Sequence, residues 1–264
     1  MNIFSREKMQ RIRQYLFVIK ELSDRELRRR YSRSRLGVVW SVLQPLLHMV
    51  VISLVFTRIF DRGEINGPYP IYYLCGFIVW HMFTEATNHS MTALVDNRLM
   101  LIRVKFPMNV FVLSRVTTAV VNFLYTLVAF AAMLIVFRVQ ITWRIALLPL
   151  IVVLELFFAL GIAYLISTAY VFFGDVRHLY GELLTLWMYM SALFYPVNRL
   201  SPVMQSILSF NPVFLCIDSV RRIVMWGMLP EWSTLLRLAI FAGGFYGLGR
   251  WVFVRNRENI MQEL

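Results

Sequence analysis

The sequence predicts an all-α integral membrane protein of about six transmembrane helices, with an N-terminal amphipathic interface helix and short re-entrant outer helices between spans 5 and 6. Three observations carry that expectation. Of the 264 residues, 59% are hydrophobic and 16% charged, against about 45–50% apolar and about 25% charged in soluble domains. The apolar residues gather in runs of about 20, the length a helix needs to cross a bilayer. Basic residues are spread unevenly, eleven of the 27 Lys and Arg lying before Leu36. Six or seven spans would fill this length and leave no room for a soluble domain, so any energy source is expected on another chain.

Residues 1–35 read as a basic cytoplasmic interface segment. Ile12, Tyr15, Leu16 and Ile19 recur at helical spacing, with Arg11, Arg13, Gln14 and Lys20 between them. Such a helix lies in the headgroup layer rather than crossing it. Arg28, Arg29, Arg30, Arg33 and Arg35 crowd the start of the first span, where they would anchor it at an anionic leaflet.

The six-span domain is expected over 36–254. Its first span, 36–60, contains Pro45, which a membrane helix tolerates when neighbours satisfy the freed carbonyl. A Gly-, Pro- and acid-rich loop separates it from the second span, 69–92. A basic stretch with Asp96, Arg98, Arg103 and Lys105 ends at Pro107. The third span is expected at 109–137, the fourth at 145–173, and the tight turn Gly174-Asp175-Val176-Arg177-His178 leads into a fifth at 179–197. Pro202, Asn211-Pro212 and Pro230 break 198–230 into two short helical pieces. A last span at 235–254 precedes a cytoplasmic tail, 255–264.

Charge position tests this topology. With both termini inside, eighteen Lys and Arg fall on cytoplasmic segments, seven on outer ones, and Arg115 and Arg237 within spans. That bias has the sign the positive-inside rule requires and favours six spans. It also accounts for the net charge of +12 without nucleic acid as a partner. Cys75 and Cys216 lack metal-ligand spacing and read as buried thiols. No basic stretch followed by a short apolar segment marks a secretory signal peptide.

His81, Glu85 and His89 stand at i, i+4 and i+8, on one face of the second span. They read as a polar lining more readily than as a metal site, which needs three or four ligands and their supporting partners. Glu155 sits mid-span in the fourth helix and Arg115 near the start of the third. Each is a functional candidate by virtue of its place in the membrane, with snorkelling or helix pairing as the structural alternative. Gly243-x-x-x-Gly247 permits close helix approach. Trp40, Trp187, Tyr189 and Tyr195, with His81 and Glu85, are channel-lining candidates, the remaining aromatics reading as interfacial belt and packing. Neither a Walker sequence nor a nucleophile–base pair occurs, so no cofactor is expected in this chain.

Two stretches resemble the ABC-2 type permeases that export polysaccharides. Residues 22–47, LSDRELRRRYSRSRLGVVWSVLQPLL, are similar to the family's basic segment leading into LGxxWxxLxPL, here Arg30-Tyr31, then Leu36, Gly37, Trp40, Leu43, Pro45 and Leu46. Residues 172–222 resemble its second hallmark, an F-x-D-[IV] turn followed by FYP, a spaced proline and NP. The resemblance implies the membrane subunit of an ABC exporter in a bacterial inner membrane, working as a homodimer. ATP and Mg would be handled by a separate nucleotide-binding ATPase. The substrate class it implies is a lipid-linked glycan such as O-antigen, capsular polysaccharide or teichoic acid. It assigns coupling to Asp96, Arg98, Asp175, Arg177 and His178, and an outer gate to Pro202, Asn211 and Pro212. The arginine collar, Arg28 to Arg35, becomes a candidate holder of the substrate's headgroup.

Two other readings compete. An ion- or proton-coupled carrier would use His81, Glu85, His89 and Glu155, but no internal repeat marks such a fold. A membrane-embedded transferase with His81 as base would need an acidic partner on an outer loop.

Overall fold

The computed structural model describes residues 3–32, 34–56, 65, 67–103 and 106–264, with side chains from residue 12 onward and at residue 10. Every regular element among them is helical. Helix α1 spans Ile3–Tyr31 and α2 spans Val39–Phe56; α3 is Tyr69–Met91, followed by the short α4, Ala93–Asp96, and α5, Arg98–Arg103. Helix α6 is Asn109–Val136, α7 Leu148–Phe172 after a 3-10 turn, and α8 Val176–Tyr189. Two short helices, α9 (Pro202–Leu208) and α10 (Pro212–Val224), precede α11 (Trp232–Arg255) and α12 (Arg257–Glu263).

Helix α3 is the axis of the bundle. It packs against α6, α7, α10 and α2, and its residues from Ile71 to Phe83 are buried with the single exception of His81. This explains its composition. A helix wrapped by protein can carry Glu85, because its partners Arg30 and Asn122 come from neighbouring helices. Apolar length alone identifies Val39–Phe56, Asn109–Val136 and Trp143–Phe172 as helices able to cross a membrane among the described residues. The pair α9–α10, bent by 97°, adds a fourth if counted as one broken span. Helices α3 and α11 have the length, at 23 and 24 residues, but mix in polar groups.

Pro45 lies inside α2 and is buried. The carbonyl it frees, that of Ser41, is approached by the Thr126 hydroxyl of α6 at 3.5 Å, the neighbourly repair expected in membrane helices. Between α1 and α2 the chain turns at Gly37, whose φ of +50° lies in the left-handed region with open space around it. Backbone conformation, not crowding, requires glycine there.

One expectation is corrected and two are refined. The fifth expected span, 179–197, is helical only to Tyr189. Beyond it the chain reverses through Ala192 at φ +49°, so α8 reaches only about 21 Å, short of a hydrocarbon core of about 30 Å. The residues after Arg255 are not a free tail: α12 folds against α7, burying Ile260 and Leu264. Close helix approach occurs at Gly161 and Gly249, where an added Cβ would strike backbone of the facing helix, while Gly243 and Gly247 face open space. The Gly161–Gly249 crossing joins α7 to α11 along most of their length.

Candidate functional site: a polar cavity continued by an aromatic one

The charged residues of α1 meet the polar face of α3 at one end of the bundle, the basic end. Arg30 pairs with Glu85, which also accepts from Asn122 of α6 at 2.7 Å. A second Arg30 nitrogen lies 2.5 Å from His89 Nε2. Tyr31 lies 2.5 Å from the Ser41 hydroxyl and donates to Asn122 at 3.1 Å. Burial pulls the Arg30 guanidinium down, but Glu85 and Tyr31 outweigh it and hold it above its ordinary value. The group is a permanent cation.

These side chains line a cavity of about 460 Å³ together with Trp40, Gln44, His81 and Thr84. Gln44, His81 and Thr84 also line a second cavity of about 430 Å³, walled by His48, Tyr73, Phe77, Trp80 and Phe194. The two are therefore contiguous along one side of α2 and α3. They pass from charged and amide groups at the basic end to aromatic rings toward Phe194. His81 stands at the junction, stacked on Phe77 at 5.4 Å and 3.9 Å from Glu85. The His81–Glu85–His89 stripe is thus cavity wall. Among the described residues no three His, Cys, Asp or Glu side chains gather as metal ligands.

Arg115 does not snorkel. It is buried and pairs with Glu26 of α1 and with Asp96, 2.8 Å away at the end of α4. Arg25 donates to Asn97 at 2.6 Å, and the Ser23 hydroxyl lies 2.9 Å from the Ser114 carbonyl. The interface helix, the 93–103 stretch and α6 are therefore fastened together. Of the coupling candidates, Asp96 is engaged by Arg115 and Thr92. Arg98, Asp175, Arg177 and His178 are exposed with no side-chain partner among the described residues. Arg28, Arg29 and Arg35 are exposed and do not line the cavity, and Arg33 lies outside the described residues.

At the opposite end, Asn211 caps α10, accepting from the backbone N–H groups of Val213 and Phe214. It also accepts from Trp187 Nε1 at 2.9 Å and donates to the Met190 carbonyl and the Ser191 hydroxyl. Asn before Pro before an apolar run is the sequence signature of such a start; its grip on α8 is tertiary. Pro212 is buried as the first residue of α10, and Pro202 opens α9 behind the capping residue Ser201. Trp187 packs edge-on to Phe83 and Phe158 rather than lining either cavity. Tyr189 is exposed, and the Tyr195 hydroxyl donates to its carbonyl at 2.5 Å.

Arg221 escapes sequence reading, and Glu155, a candidate there, lacks among the described residues the helix pairing that was the alternative. Arg221 is 1% exposed, yet no carboxylate pairs with it among the described residues. It donates to the carbonyls of Ala192 and Leu193 at 3.0 Å and of Tyr72 at 3.3 Å, and its guanidinium lies 3.5 Å from the Tyr72 ring centre. Glu155 is also buried, and neither carboxylate oxygen finds a hydrogen bond among the described residues. The sequence does not set Arg221 apart from the neighbouring charges Asp218 and Arg222 of the same short helix.

The family profile described as ABC-2 type transporter matches residues 18–225. An O-antigen export system permease protein RfbA of Myxococcus xanthus is 29% identical over 95% of this chain and 96% of its own length. A protein of the same name from Klebsiella pneumoniae is 26% identical over 89% and 91%. The polysialic acid transport protein KpsM of Escherichia coli is 26% identical over 92% and 94%.

Proposed function

This chain belongs to the ABC-2 type transporter family, and on that premise we propose that it is the membrane subunit of an ATP-driven exporter of a lipid-linked polysaccharide. The observation that carries the proposal is the contiguous pair of cavities along α2 and α3, polar at the basic end and aromatic beyond. The names of the relatives, O-antigen export permeases and a polysialic acid transporter, support a glycan as cargo. Teichoic acid belongs to the same substrate class.

In this reading the basic end faces the cytoplasm of a bacterium across its inner membrane, with both chain termini inside, as the charge bias favours. Two copies of the chain assemble, and their cavities together form the path. Arg30 and the exposed Arg28, Arg29 and Arg35 attract the diphosphate headgroup of the substrate, since guanidinium groups bind phosphate in paired hydrogen bonds. Sugar faces then stack on the flat rings of Tyr73, Phe77, Trp80 and Phe194. The short helices α9 and α10 act as the outer gate.

Energy comes from a separate ATPase subunit that binds ATP and Mg. The exposed turn 174–178 offers Asp175, Arg177 and His178 to such a partner, where charge pairing sets register. Movement reaching the 93–103 stretch passes through Asp96–Arg115–Glu26 to α1. Glu26 and Arg30 are one helical turn apart, so the same displacement acts on the Arg30–Glu85 pair. A proton-coupled carrier is less well supported, because Glu85 is already committed to Arg30 and Asn122.

The test is deletion of this chain in its host, followed by fractionation of lipid-linked glycan. Polymer is expected to accumulate inside and to reach the surface again when the chain is restored together with its ATPase. Unchanged surface polymer after deletion would sink the proposal. Arg177→Glu should lower ATPase activity of the assembled transporter by about tenfold or more while leaving assembly intact, the loss of a close charge pair at an interface being worth about 1.5 kcal/mol or more.

A further inference from the structure

At the basic end, away from the two cavities already described, a third cavity of about 210 Å³ lies between the start of α6, the middle of α7 and the end of α11. Its lining is of two kinds. Arg250, Arg257, Tyr164 and Asn109 bring polar groups, while Met108 and Phe253 bring apolar surface. Arg250 spends one donor on the Tyr246 hydroxyl, 3.1 Å away, leaving four of the five a guanidinium carries. Arg257 has no side-chain partner among the described residues, and neither arginine lies within 4.0 Å of a carboxylate there.

Tyr164 is the telling residue. It is 4% exposed, its ring packs against Phe253 at 4.9 Å, and its hydroxyl makes no hydrogen bond among the described residues. Tyr164 lines the cavity, so its phenol is a donor available to whatever enters there. The start of α6 adds the positive end of a 28-residue helix, the N–H groups of Val110 and Phe111 being already bonded to the Pro107 and Met108 carbonyls. Arg250, Arg257, Tyr164 and the Asn109 amide nitrogen can each donate to an anion. Just beyond it, Trp251 is exposed and Arg255 lies over its ring at 5.8 Å, the pairing of ring and cation found where a helix leaves the hydrocarbon.

We propose that this cavity binds the phosphate group of an anionic membrane phospholipid, with Arg250, Arg257 and Tyr164 as its donors. The mixed lining favours a lipid over a free anion: a glycerol backbone and the first methylenes cover Phe253 and Met108 while the phosphate takes the arginines. Occupancy would tie α11 and α12 to the start of α6, next to the 93–103 stretch, and so make that contact responsive to lipid composition.

The test is native mass spectrometry of the purified full-length chain titrated with phosphatidylglycerol, with phosphatidylcholine and, separately, with farnesyl diphosphate. Phosphatidylglycerol should be retained in preference to phosphatidylcholine. Arg250→Ala/Arg257→Ala should weaken its retention about tenfold or more, and Tyr164→Phe about threefold, the scale of charged and neutral hydrogen bonds respectively. Arg255→Ala, which removes the same charge from the same helix end, should leave retention unchanged, and Arg250→Lys/Arg257→Lys should restore part of it. Equal loss in Arg255→Ala, or wild-type retention in the double alanine variant, would overturn the site. Displacement of phosphatidylglycerol by equimolar farnesyl diphosphate would overturn the choice of a membrane phospholipid and transfer the cavity to the substrate's headgroup.

Discussion

The two ends of the bundle hold their arginines in opposite ways. At the basic end Arg30 and Arg115 are matched by carboxylates from other elements, Glu85, Glu26 and Asp96. At the far end Arg221 is held by three backbone carbonyls and a tyrosine face, with no carboxylate among the described residues. An ion pair between side chains can exchange one anion for another, and a phosphate can take the place of Glu85 on Arg30. The backbone carbonyls of Tyr72, Ala192 and Leu193 cannot leave, so Arg221 holds its geometry or the reversal at Ala192 is lost. One end is built to trade partners and the other to keep its shape.

The sharpest way to break that contrast is at Arg221. Arg221→Leu strands the buried carbonyls of Ala192 and Leu193 and is expected to cost about 3 kcal/mol or more, seen as the largest fall in thermal stability of the purified chain. Arg221→Lys, which keeps the charge but cannot reach three carbonyls in one plane, should recover only part of the loss. Near-complete recovery by lysine would show that charge alone matters there and dissolve the distinction.

Next in size is the α7–α11 crossing. Gly249→Ala places a methyl group against the Gly161 carbonyl and should cost about 1–3 kcal/mol, the range for overpacking. Gly243→Ala, in open space, should stay within about 0.5 kcal/mol. Equal effects at the two glycines would place the close approach elsewhere.

Glu85→Gln tests the exchangeable end. Because the Arg30 side chain remains about one-third exposed (32%), solvent softens the loss, and about 1 kcal/mol of stability is expected. A double-mutant cycle with Arg30→Gln should return a coupling of about 0.5 kcal/mol or more. Export should fall much further than stability. If both fall together, the pair is structural only. Smallest of all, Arg177→Glu on the exposed 174–178 turn should change stability by less than about 0.5 kcal/mol, even as coupled ATPase activity drops.

Much of this architecture is legible in local patterns. Runs of apolar residues mark α2, α6 and α7, and proline and asparagine mark where α9 and α10 begin. The basic collar announces one end of the bundle. The centrality of α3 is not legible, since a polar stripe on a membrane helix reads alike whether it faces a pore, a partner or a buried arginine. Arg30 and Glu85 are 55 residues apart in the chain, and Arg221 reaches carbonyls 28, 29 and 149 residues away. No local period encodes such distances.

What the sequence determined by itself was the class of solvent and the kind of element. Composition demands a membrane, and a membrane demands helices whose backbones satisfy themselves. Span ends follow from charge and from helix-breaking residues, which act within a few positions of themselves. Only the tertiary structure decided which polar groups meet. It gave Glu85 to Arg30, tied Arg115 to two elements, ended the fifth helix at Tyr189, and left the Glu155 carboxylate without a hydrogen bond among the described residues. The physical reason is that in an apolar medium the cost of an unpaired polar group is settled by whichever helix lies beside it, and neighbours are a property of packing.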